Sequence, residues 1–300
     1  MTSVSNNIYA TLCNGKQIPL LGLGTFQSTS DDVKEVIKTA VGIGYRHIDT
    51  ARAYRNETEI GGAIKELIDT GVIKRTDIFV TTKLRGTFHR PENVEHALKL
   101  SLEALQLEYV DLYLMHSPMA LEYRGDDAFW PTREDGTLAH DDIHFVETWK
   151  IENHPFLDQK ELIDLCKSND VMVTSYSPLG APDRPTRKLG VNDIQISVAN
   201  DAETFQVNSL IKEIAKARGC SASQLLIAYN LNQGMACIPK SSNPIRMEEN
   251  YKALKVSLTD DDIRRMDTLA CNFKAYPFKL WENHIHYPFT TSHKESPASS

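Results

Sequence analysis

The sequence lacks the features of a disulfide-rich or metal-binding protein. Its 300 residues include five cysteines, an odd number with no pair at the spacing of a zinc site or a redox motif. We expect reduced thiols and no metal at Cys13, Cys166, Cys220, Cys237 and Cys271. The amino terminus has neither the basic start nor the apolar core of a secretory signal, and no apolar run is long enough to span a bilayer. These absences predict a cytoplasmic protein with no membrane partner.

The sequence also lacks an excess of positive charge. It carries 33 Lys and Arg against 40 Asp and Glu, a formal net charge of -7. Nucleic acids and anionic membranes favour basic patches, so neither is an expected partner. We predict instead a monomer that binds a small molecule.

No linker divides the chain into parts. With 41% hydrophobic residues the chain can bury a large core, and we predict a single domain over residues 1–291. Residues 292–300 are polar, and this composition predicts a disordered tail.

Strand and helix signals alternate along the chain. Asn14-Gly15, flanked by short apolar segments, predicts a hairpin of two antiparallel strands at the start. Apolar strands centred on Ile48, Val80 and Leu112 follow with a helix between each, at about 30 residues per repeat. This pattern predicts an α/β fold, a (β/α)8 or TIM barrel behind an N-terminal β-hairpin. A doubly wound open sheet is the alternative, but no Gly-x-Gly-x-x-Gly follows a strand.

The first three helices are predicted from apolar residues that recur on one face. Their predicted core residues are Val33, Val36, Ile37, Ala40 and Val41 in the first helix, Ile60, Ile64, Leu67 and Ile68 in the second, and Val94, Leu98, Leu102 and Leu105 in the third. These faces are expected to pack on the sheet.

A titratable residue ends each of three successive strands. Asp49, Lys83 and His116 stand at the carboxyl ends, where barrels of this type carry their active sites. Tyr54 follows Asp49 in a short loop and can reach the same cavity. Each residue could have a structural role instead: Asp49 as a helix cap, Lys83 snorkelling to solvent, His116 as a core histidine. Their occurrence together at matching depth predicts a catalytic site.

These residues lie in motifs that resemble those of the aldo-keto reductases, in the order of that family. The motifs are Gly22-Leu23-Gly24-Thr25, Tyr45-Arg46-His47-Ile48-Asp49-Thr50-Ala51 with Tyr54, Thr82-Lys83, Asp111-Leu112-Tyr113-Leu114-Met115-His116, Ser175-Tyr176-Ser177-Pro178-Leu179-Gly180 and Ile238-Pro239-Lys240-Ser241, with Arg246 and Glu249-Asn250. The resemblance covers nearly the whole chain except one region. It implies a reductase that acts on a small carbonyl compound with NADPH.

The resemblance assigns a role to each catalytic candidate. A free tyrosine has a pKa of about 10, too high for a good acid at neutral pH, and the Lys83 ammonium is expected to lower that of Tyr54. Asp49 would keep Lys83 charged and in place, and His116 would donate a hydrogen bond to the substrate oxygen. Tyr54 would then deliver a proton as hydride arrives from the nicotinamide.

The same resemblance predicts where the cofactor binds. Asn243-Pro244 opens a helix whose amino terminus can bind phosphate, with Lys240 before it and Arg246 one turn in. This arrangement suits the extra phosphate of NADPH, and a solvated helix start with ordinary surface charge is the alternative. Tyr176 is expected to stack on the nicotinamide. The predicted cofactor-binding residues are Gly24, Thr25, Phe26, Tyr176, Ser177, Leu179, Lys240, Ser241, Asn243, Arg246, Glu249 and Asn250.

Two loops are predicted to border the site. Pro118–Asp142 is a long polar connection that contains Trp130 and fits a loop over the mouth. Cys271–Trp281 is similar to the carboxyl-terminal loop that shapes the substrate pocket in the family. Ser117 stands where many members carry tryptophan, so the resemblance does not specify aromatic or sugar aldehydes.

The strand count departs from the family after His116. Asp142–Lys150 looks helical and runs directly into Ile151, which resembles the start of the family's sixth strand. We therefore predict that the fifth strand and most of its flanking helices, roughly 30 residues, are missing between Lys150 and Ile151. The alternative is that Ile143–Val146 serves as the fifth strand.

A missing unit would leave the barrel incomplete, with two exposed strand edges and unpaired backbone groups that cost about 1–3 kcal/mol each when buried. The unit would also have carried a Ser-Asn pair that holds the nicotinamide in relatives, and Lys150 stands in place of their glutamine. Two expectations result. One is an NADPH-dependent reductase, because Asp49, Tyr54, Lys83 and His116 are present. The other is a shortened, catalytically impaired or non-catalytic dinucleotide-binding derivative.

Overall fold

Parallel strands with helices packed against them form the body of the protein. The structure is a computed structural model that describes residues 8–143 except 13, 29 and 118, together with residues 151–152, 163–164, 166, 168, 172–179 and 208–270. Within these ranges no helix is long and apolar enough to cross a membrane, and no group of three or more His, Cys, Asp or Glu side chains could hold a metal ion. The predictions for Cys13, the loop 271–281 and the tail 292–300 lie outside the described residues.

The predicted N-terminal hairpin is confirmed. β1 (Tyr9–Thr11) and β2 (Gln17–Pro19) pair antiparallel, with Tyr9 opposite Pro19. Gly15 in the connection has a φ of 78°, which glycine adopts without strain. The hairpin therefore forms where the Asn-Gly signal places it.

Four parallel strands form one sheet in chain order. They are β3 (Leu23–Gly24), β4 (His47–Asp49), β5 (Phe79–Leu84) and β6 (Leu112–Met115). The register pairs Gly24 with Asp49, Asp49 with Thr81, and Lys83 with Leu114. The carboxyl ends of the strands therefore meet along one edge, as predicted from the repeat.

Three further parallel strands form a second sheet. They are β7 (Ile151–Glu152), β8 (Thr174–Tyr176) and β9 (Ala236–Cys237). Parallel bridges from Leu21 to Cys237 and from Gly24 to Lys240 join it to the first sheet. The described strands therefore run in the order β7-β8-β9-β3-β4-β5-β6. Among the described parallel strands β3 comes first in the sequence and β9 last, and the two lie side by side. This adjacency is typical of a barrel.

The helices α1 (Ser30–Ile43) and α2 (Glu57–Asp69) cover the first sheet. They bury the residues predicted from the apolar spacing, and Ile68 packs against the same core from a partly buried position. The predicted residues of the two helices that are buried are Val33, Val36, Ile37, Ala40, Val41, Ile60, Ile64 and Leu67. Burial of these side chains against Ile48 and Val80 stabilises the fold.

The buried face of α3 (Pro91–Leu105) differs from the prediction. Its fully buried residues are Ala97, Ser101 and Leu105. The prediction for Leu105 is confirmed, whereas Val94, Leu98 and Leu102, also predicted to face the core, are half-buried. The physical reason is the close packing of α2 and α3, since a Cβ placed on Gly61 would overlap the backbone of Leu105. The residue that permits this contact is Gly61, and a pattern of large apolar residues does not predict it.

Within residues 208–270 lie four shorter α-helices, α4 (Ser209–Ala217), α5 (Ala222–Asn232), α6 (Pro244–Lys252) and α7 (Asp260–Asp267). A side chain caps the amino terminus of each, from Asn208, Ser221, Asn243 and Thr259 respectively. The Tyr45 hydroxyl donates to the Met247 carbonyl oxygen at 3.0 Å. This bond ties α6 to the chain that enters β4.

β6 is less buried than its neighbours. All residues of β4 and β5 are buried, whereas the 4 residues of β6 are half-buried. Among the described residues β6 does not pair with β7. Residues 144–150, which include most of the alternative fifth strand Ile143–Val146, lie outside the described residues. The absence of a fifth strand-helix unit therefore stays a prediction.

Candidate active site

The carboxyl ends of β4 and β5 bring Asp49 and Lys83 into contact. Lys83 Nζ lies 2.5 Å from Asp49 Oδ1. The Lys83 side chain is 2% exposed and the Asp49 side chain is 4% exposed. Nζ also donates to the Thr50 carbonyl oxygen at 2.6 Å. A buried ammonium requires such partners because it has lost its hydration. The snorkelling interpretation of Lys83 is therefore wrong.

The pKa of Lys83 lies above its ordinary value. Burial alone would lower this pKa, but the charges of Asp49 and of ionised Tyr54, with hydrogen bonds to both side chains, outweigh burial. The ammonium therefore stays charged throughout the neutral pH range.

Tyr54 lies over the Lys83 ammonium. It ends a 3-10 turn, Arg52–Tyr54, which follows β4 and closes at Arg55 in the left-handed conformation. Lys83 Nζ is 4.9 Å from the centre of the Tyr54 ring. The turn thus delivers the phenol to the cation that ends the neighbouring strand.

Two aromatic neighbours fix the ring of Tyr54. The Phe26 ring centre is 5.1 Å away at an interplanar angle of 54°, and the His116 ring meets Tyr54 edge-on at 5.2 Å and 82°. The backbone N–H of His116 donates to the Leu84 carbonyl oxygen at 2.7 Å, which extends the pairing of β5 and β6 to the site. All four residues predicted to be catalytic are therefore brought together.

The helix-cap interpretation of Asp49 is wrong. Asn56 occupies the N-cap position of α2, while the Asp49 carboxylate binds Lys83. The Asn56 amide donates to the Thr25 carbonyl oxygen at 3.0 Å and accepts from the Thr50 hydroxyl at 3.3 Å. These bonds hold the loop after β4 against the end of β3.

Thr25 and Gly24 are built into the same scaffold. Thr25 donates its N–H and its hydroxyl to the Asp49 carbonyl oxygen, at 3.1 Å and 3.0 Å. A Cβ on Gly24 would come within 2.9 Å of the Ile238 carbonyl oxygen. Glycine is therefore required where β3 approaches the strand that leads to Lys240.

Glu57 is a buried carboxyl beside the site that sequence reasoning missed. It is the first residue of α2 and 2% exposed, and its Oε1 accepts from the Thr82 hydroxyl at 2.6 Å. Burial raises the pKa of Glu57 to about 7, against the opposing effects of Thr82 and of the charge of Arg52. An acid in the first turn of a helix is usually explained by the helix dipole, so nothing in the sequence marks this one.

Arg85 is a second residue that sequence reasoning missed. It is 4% exposed, and its guanidinium lies 4.0 Å from the centre of the Phe129 ring, which Arg55 also contacts at 4.1 Å. Burial and the charge of Arg52 lower the pKa of Arg85 to about 10, so it remains a cation at neutral pH. The two-residue spacing from Lys83 is the signal that could have found it. These contacts place the loop 119–143 beside the Tyr54 turn.

The residues predicted to bind phosphate gather at the start of α6. Asn243 Oδ1 accepts from the backbone N–H of Ile245 at 2.9 Å and of Arg246 at 3.2 Å, as expected of a cap. Ser241 Oγ accepts from the Asn243 N–H at 3.2 Å. Arg246 is exposed and forms no ion pair with another described residue. A free guanidinium and a hydroxyl at a helix start form a donor set that fits a phosphate group.

These residues and the four residues predicted to be catalytic border the same edge of the sheet. Gly24 pairs with Lys240 on one side and with Asp49 on the other. The ends of three adjacent strands therefore run from the phosphate-binding candidates to the Asp49–Lys83 pair. A ligand that spans this edge would meet both.

The other predicted cofactor residues come from β8, the segment after it, and α6. Ser177 has a φ of 54° and is half-buried. Leu179 packs against the core, Glu249 is half-buried, and Asn250 is 4% exposed. Tyr176 belongs to β8, but its side chain lies outside the described residues.

The Aldo/keto reductase family model matches this chain over residues 20–151 and 138–270. The chain therefore belongs to the Aldo/keto reductase family, a family of oxidoreductases.

Individual relatives agree with this assignment. Aldo-keto reductase family 1 member A1 of Mus musculus is 37% identical over 303 residues, which cover 88% of this chain and 89% of the relative. The Gallus gallus protein of that name is 36% identical, with 96% and 97% covered. The structure of the aldose reductase from Schistosoma japonicum matches with a TM-score of 0.82 at 29% identity, covering 95% of this chain and 99% of that one. The fold is thus of the (β/α)8 barrel type.

Proposed function

We propose that this protein reduces aldehydes and ketones to alcohols with NADPH. The observation that carries the proposal is the buried ion pair of Lys83 with Asp49 beneath the Tyr54 ring. A cation held next to a phenol in a site of low exposure is suited to proton transfer near neutral pH. Membership of the Aldo/keto reductase family supports the same chemistry.

Tyr54 is the proposed proton donor. Lys83 stabilises the phenolate that remains after transfer, and Asp49 keeps Lys83 charged. His116, edge-on to Tyr54 at 5.2 Å, is placed to donate a hydrogen bond to the carbonyl oxygen. General acid catalysis of this kind contributes about 10²- to 10⁴-fold to a rate.

NADPH supplies the hydride when it is bound. Lys240, Ser241 and Arg246 would hold its extra phosphate at the start of α6, where Asn243 caps the helix. Gly24, Thr25 and Phe26 would border its nicotinamide end, since they adjoin Asp49 and Tyr54. Tyr176, Ser177, Leu179, Glu249 and Asn250 complete the proposed cofactor site.

We propose NADPH rather than NADH, a small carbonyl compound as substrate, a monomer located in the cytoplasm, and one domain over residues 1–291.

The comparisons do not support the alternative of a catalytically impaired derivative. Two observations still make it worth testing. The family model matches in two segments that overlap at residues 138–151, and the predicted junction between Lys150 and Ile151 lies within this overlap. The half-buried state of β6 fits an incomplete barrel.

One experiment separates the two. The purified chain is titrated with NADPH by fluorescence, and NADPH consumption is followed with glyceraldehyde. Turnover that disappears in Tyr54→Phe supports the reductase. Binding of NADPH without turnover supports the impaired derivative, and a folded chain that neither binds nor reacts would contradict both.

A further inference from the structure

We propose that Glu57 is a positioning residue that holds the turn bearing Tyr54 against the strand bearing Lys83. The inference rests on the proposed function, because it concerns the alignment of the proposed proton donor. It assigns a role to a buried acid that the reduction mechanism does not itself use.

One carboxylate reaches both elements. Oε1 of Glu57 accepts from the hydroxyl of Thr82, the residue before Lys83, at 2.6 Å. Oε2 lies 3.9 Å from Nη1 of Arg52, which opens the Arg52–Tyr54 turn. Glu57 therefore connects the neighbour of the proposed cation to the turn that carries the proposed acid.

The two links depend differently on charge. A protonated carboxyl can still accept from Thr82 through its carbonyl oxygen, so that link survives neutralisation. Oε2 makes no hydrogen bond of ordinary geometry with another described residue, although the Ser101 hydroxyl also favours the ionised form, so its attraction for Arg52 at 3.9 Å is electrostatic and requires the ionised carboxylate. The hold on the turn is therefore the part that a change of protonation would release.

The groups that face the carboxyl come from four elements. Two cations favour its ionised form, Arg52 from the turn and Lys83 from β5, and the hydroxyl of Ser101 on α3 acts in the same direction. Tyr113 on β6 has its pKa raised by burial and by the charge of Glu57. Burial is the largest influence on the carboxyl and raises the pKa of Glu57 to about 7. Its charge therefore changes within the pH range in which the enzyme would work.

Glu57→Gln tests the proposal because glutamine keeps the size and the acceptor for Thr82 but not the charge. We measure kcat for aldehyde reduction with NADPH from pH 5.5 to 9, with Glu59→Gln in the same helical turn as the matched control. At pH 8 we expect kcat of Glu57→Gln to fall roughly tenfold, because small displacements of reacting groups have large effects on rate. At pH 5.5 the variant and the wild type should be nearly equal. A ratio that is constant over pH would indicate a structural role only and would overturn the proposal.

Arg52→Gln is the second variant, and it removes the partner on the turn at a side chain that is 29% exposed. It should reproduce the loss at pH 8 and leave pH 5.5 unchanged, and the double variant should lose no more than either single one. Additive losses would contradict a shared link.

A titration that needs no turnover addresses the same link. The absorbance of ionised tyrosine near neutral to alkaline pH is measured for wild type and Glu57→Gln, each against its own Tyr54→Phe counterpart, which isolates Tyr54. We expect a higher midpoint in Glu57→Gln, because the phenol moves away from the Lys83 ammonium. Equal midpoints would overturn the proposal. If the wild type reduces no carbonyl compound, the proposed function fails, while this titration still tests the positioning role of Glu57.

Discussion

Lys83 on β5 and Asp49 on β4 form an ion pair of 2.5 Å, with side chains that are 2% and 4% exposed. The pair crosses two adjacent parallel strands at their carboxyl ends. It supplies a cation to the proposed acid and joins the two strand ends.

Asp49→Asn should therefore lower both stability and activity. The substitution leaves a buried ammonium without its counter-charge, which costs about 3–5 kcal/mol in comparable pairs, and it should lower kcat with little effect on NADPH binding. Urea unfolding at pH 7 measures the first effect. Asp69→Asn, in the exposed pair with Lys65, is the control and should change little. Equal effects of the two substitutions would contradict the role given to the buried pair.

The pH dependence of this pair has a definite sign. The folded-state pKa of Lys83 is raised above its ordinary 10.5. The stabilisation is therefore fully present below pH 10.5 and is lost as pH rises through the folded pKa. We expect the difference in unfolding free energy between wild type and Lys83→Met to be constant from pH 8 to 9, above the pH at which Glu57 titrates. A difference that declines across that range would show that Lys83 loses its proton earlier.

Tyr54→Phe should reduce kcat by about 100-fold or more, because the proton donor is removed while ring packing is kept. The dissociation constant for NADPH should be unchanged. Tyr251→Phe is the matched control, since Tyr251 packs on Tyr45 at 5.1 Å, away from the site. A Tyr54→Phe enzyme with near-normal kcat would exclude Tyr54 as the acid.

Gly61→Ala should be strongly destabilising, because its Cβ would overlap the Leu105 backbone where α2 meets α3. We expect a loss of about 1–3 kcal/mol or more from this overpacking. Gly62→Ala is the neighbouring control, because its Cβ would meet nothing closer than Lys34 Cε at 3.8 Å. It should be neutral or stabilising by up to about 1 kcal/mol, the difference in helix propensity. Thermal unfolding of both variants provides the measurement.

Arg246→Met should weaken binding of NADPH more than binding of NADH, because only NADPH has the extra phosphate. Arg264→Met on α7, which removes a guanidinium paired with Asp261, is the control. Fluorescence titration with both cofactors gives the ratio of dissociation constants. An unchanged ratio in Arg246→Met would place the phosphate elsewhere.

Glu57→Gln should make stability less sensitive to pH. The folded-state pKa of Glu57 is raised from 4.5 to about 7. Its protonation therefore favours the folded state below pH 4.5, and this contribution is lost as pH rises through about 7. Relative to the wild type, the variant should gain roughly 3 kcal/mol between pH 4.5 and pH 8, from 1.36 kcal/mol per pKa unit. Parallel stability curves would contradict the raised pKa.

The clustering of the four proposed catalytic residues could be predicted from the sequence for a physical reason. Asp49, Lys83 and His116 interrupt apolar strands at their ends, and a parallel sheet brings such ends together. Tyr54 is close to Asp49 in sequence, so its position required only a short loop. The local sequence pattern and the fold class were together sufficient to predict that these four residues lie close to one another.

The supporting residues could not be found in the same way. Glu57 and Arg85 are charged residues whose burial depends on neighbours such as Thr82 and Phe129, and these come from other elements. The contact of α3 with α2 depends on Gly61, which lies against the backbone of Leu105. Burial of polar groups and close helix packing are tertiary properties, which one-dimensional periodicity does not report.

The bridge between Leu21 and Cys237 has a consequence for how the protein is made. During synthesis β3 can pair with β4, but its other edge has no partner until the chain has been extended past β9. Contacts between residues so distant in sequence slow folding. A nascent chain that ends before Cys237 would expose a strand edge open to aggregation. Lys240 and Gly24 would also be apart. The proposed cofactor-binding edge can therefore form, and the second edge of β3 can be paired, only after the chain has been synthesised past Lys240.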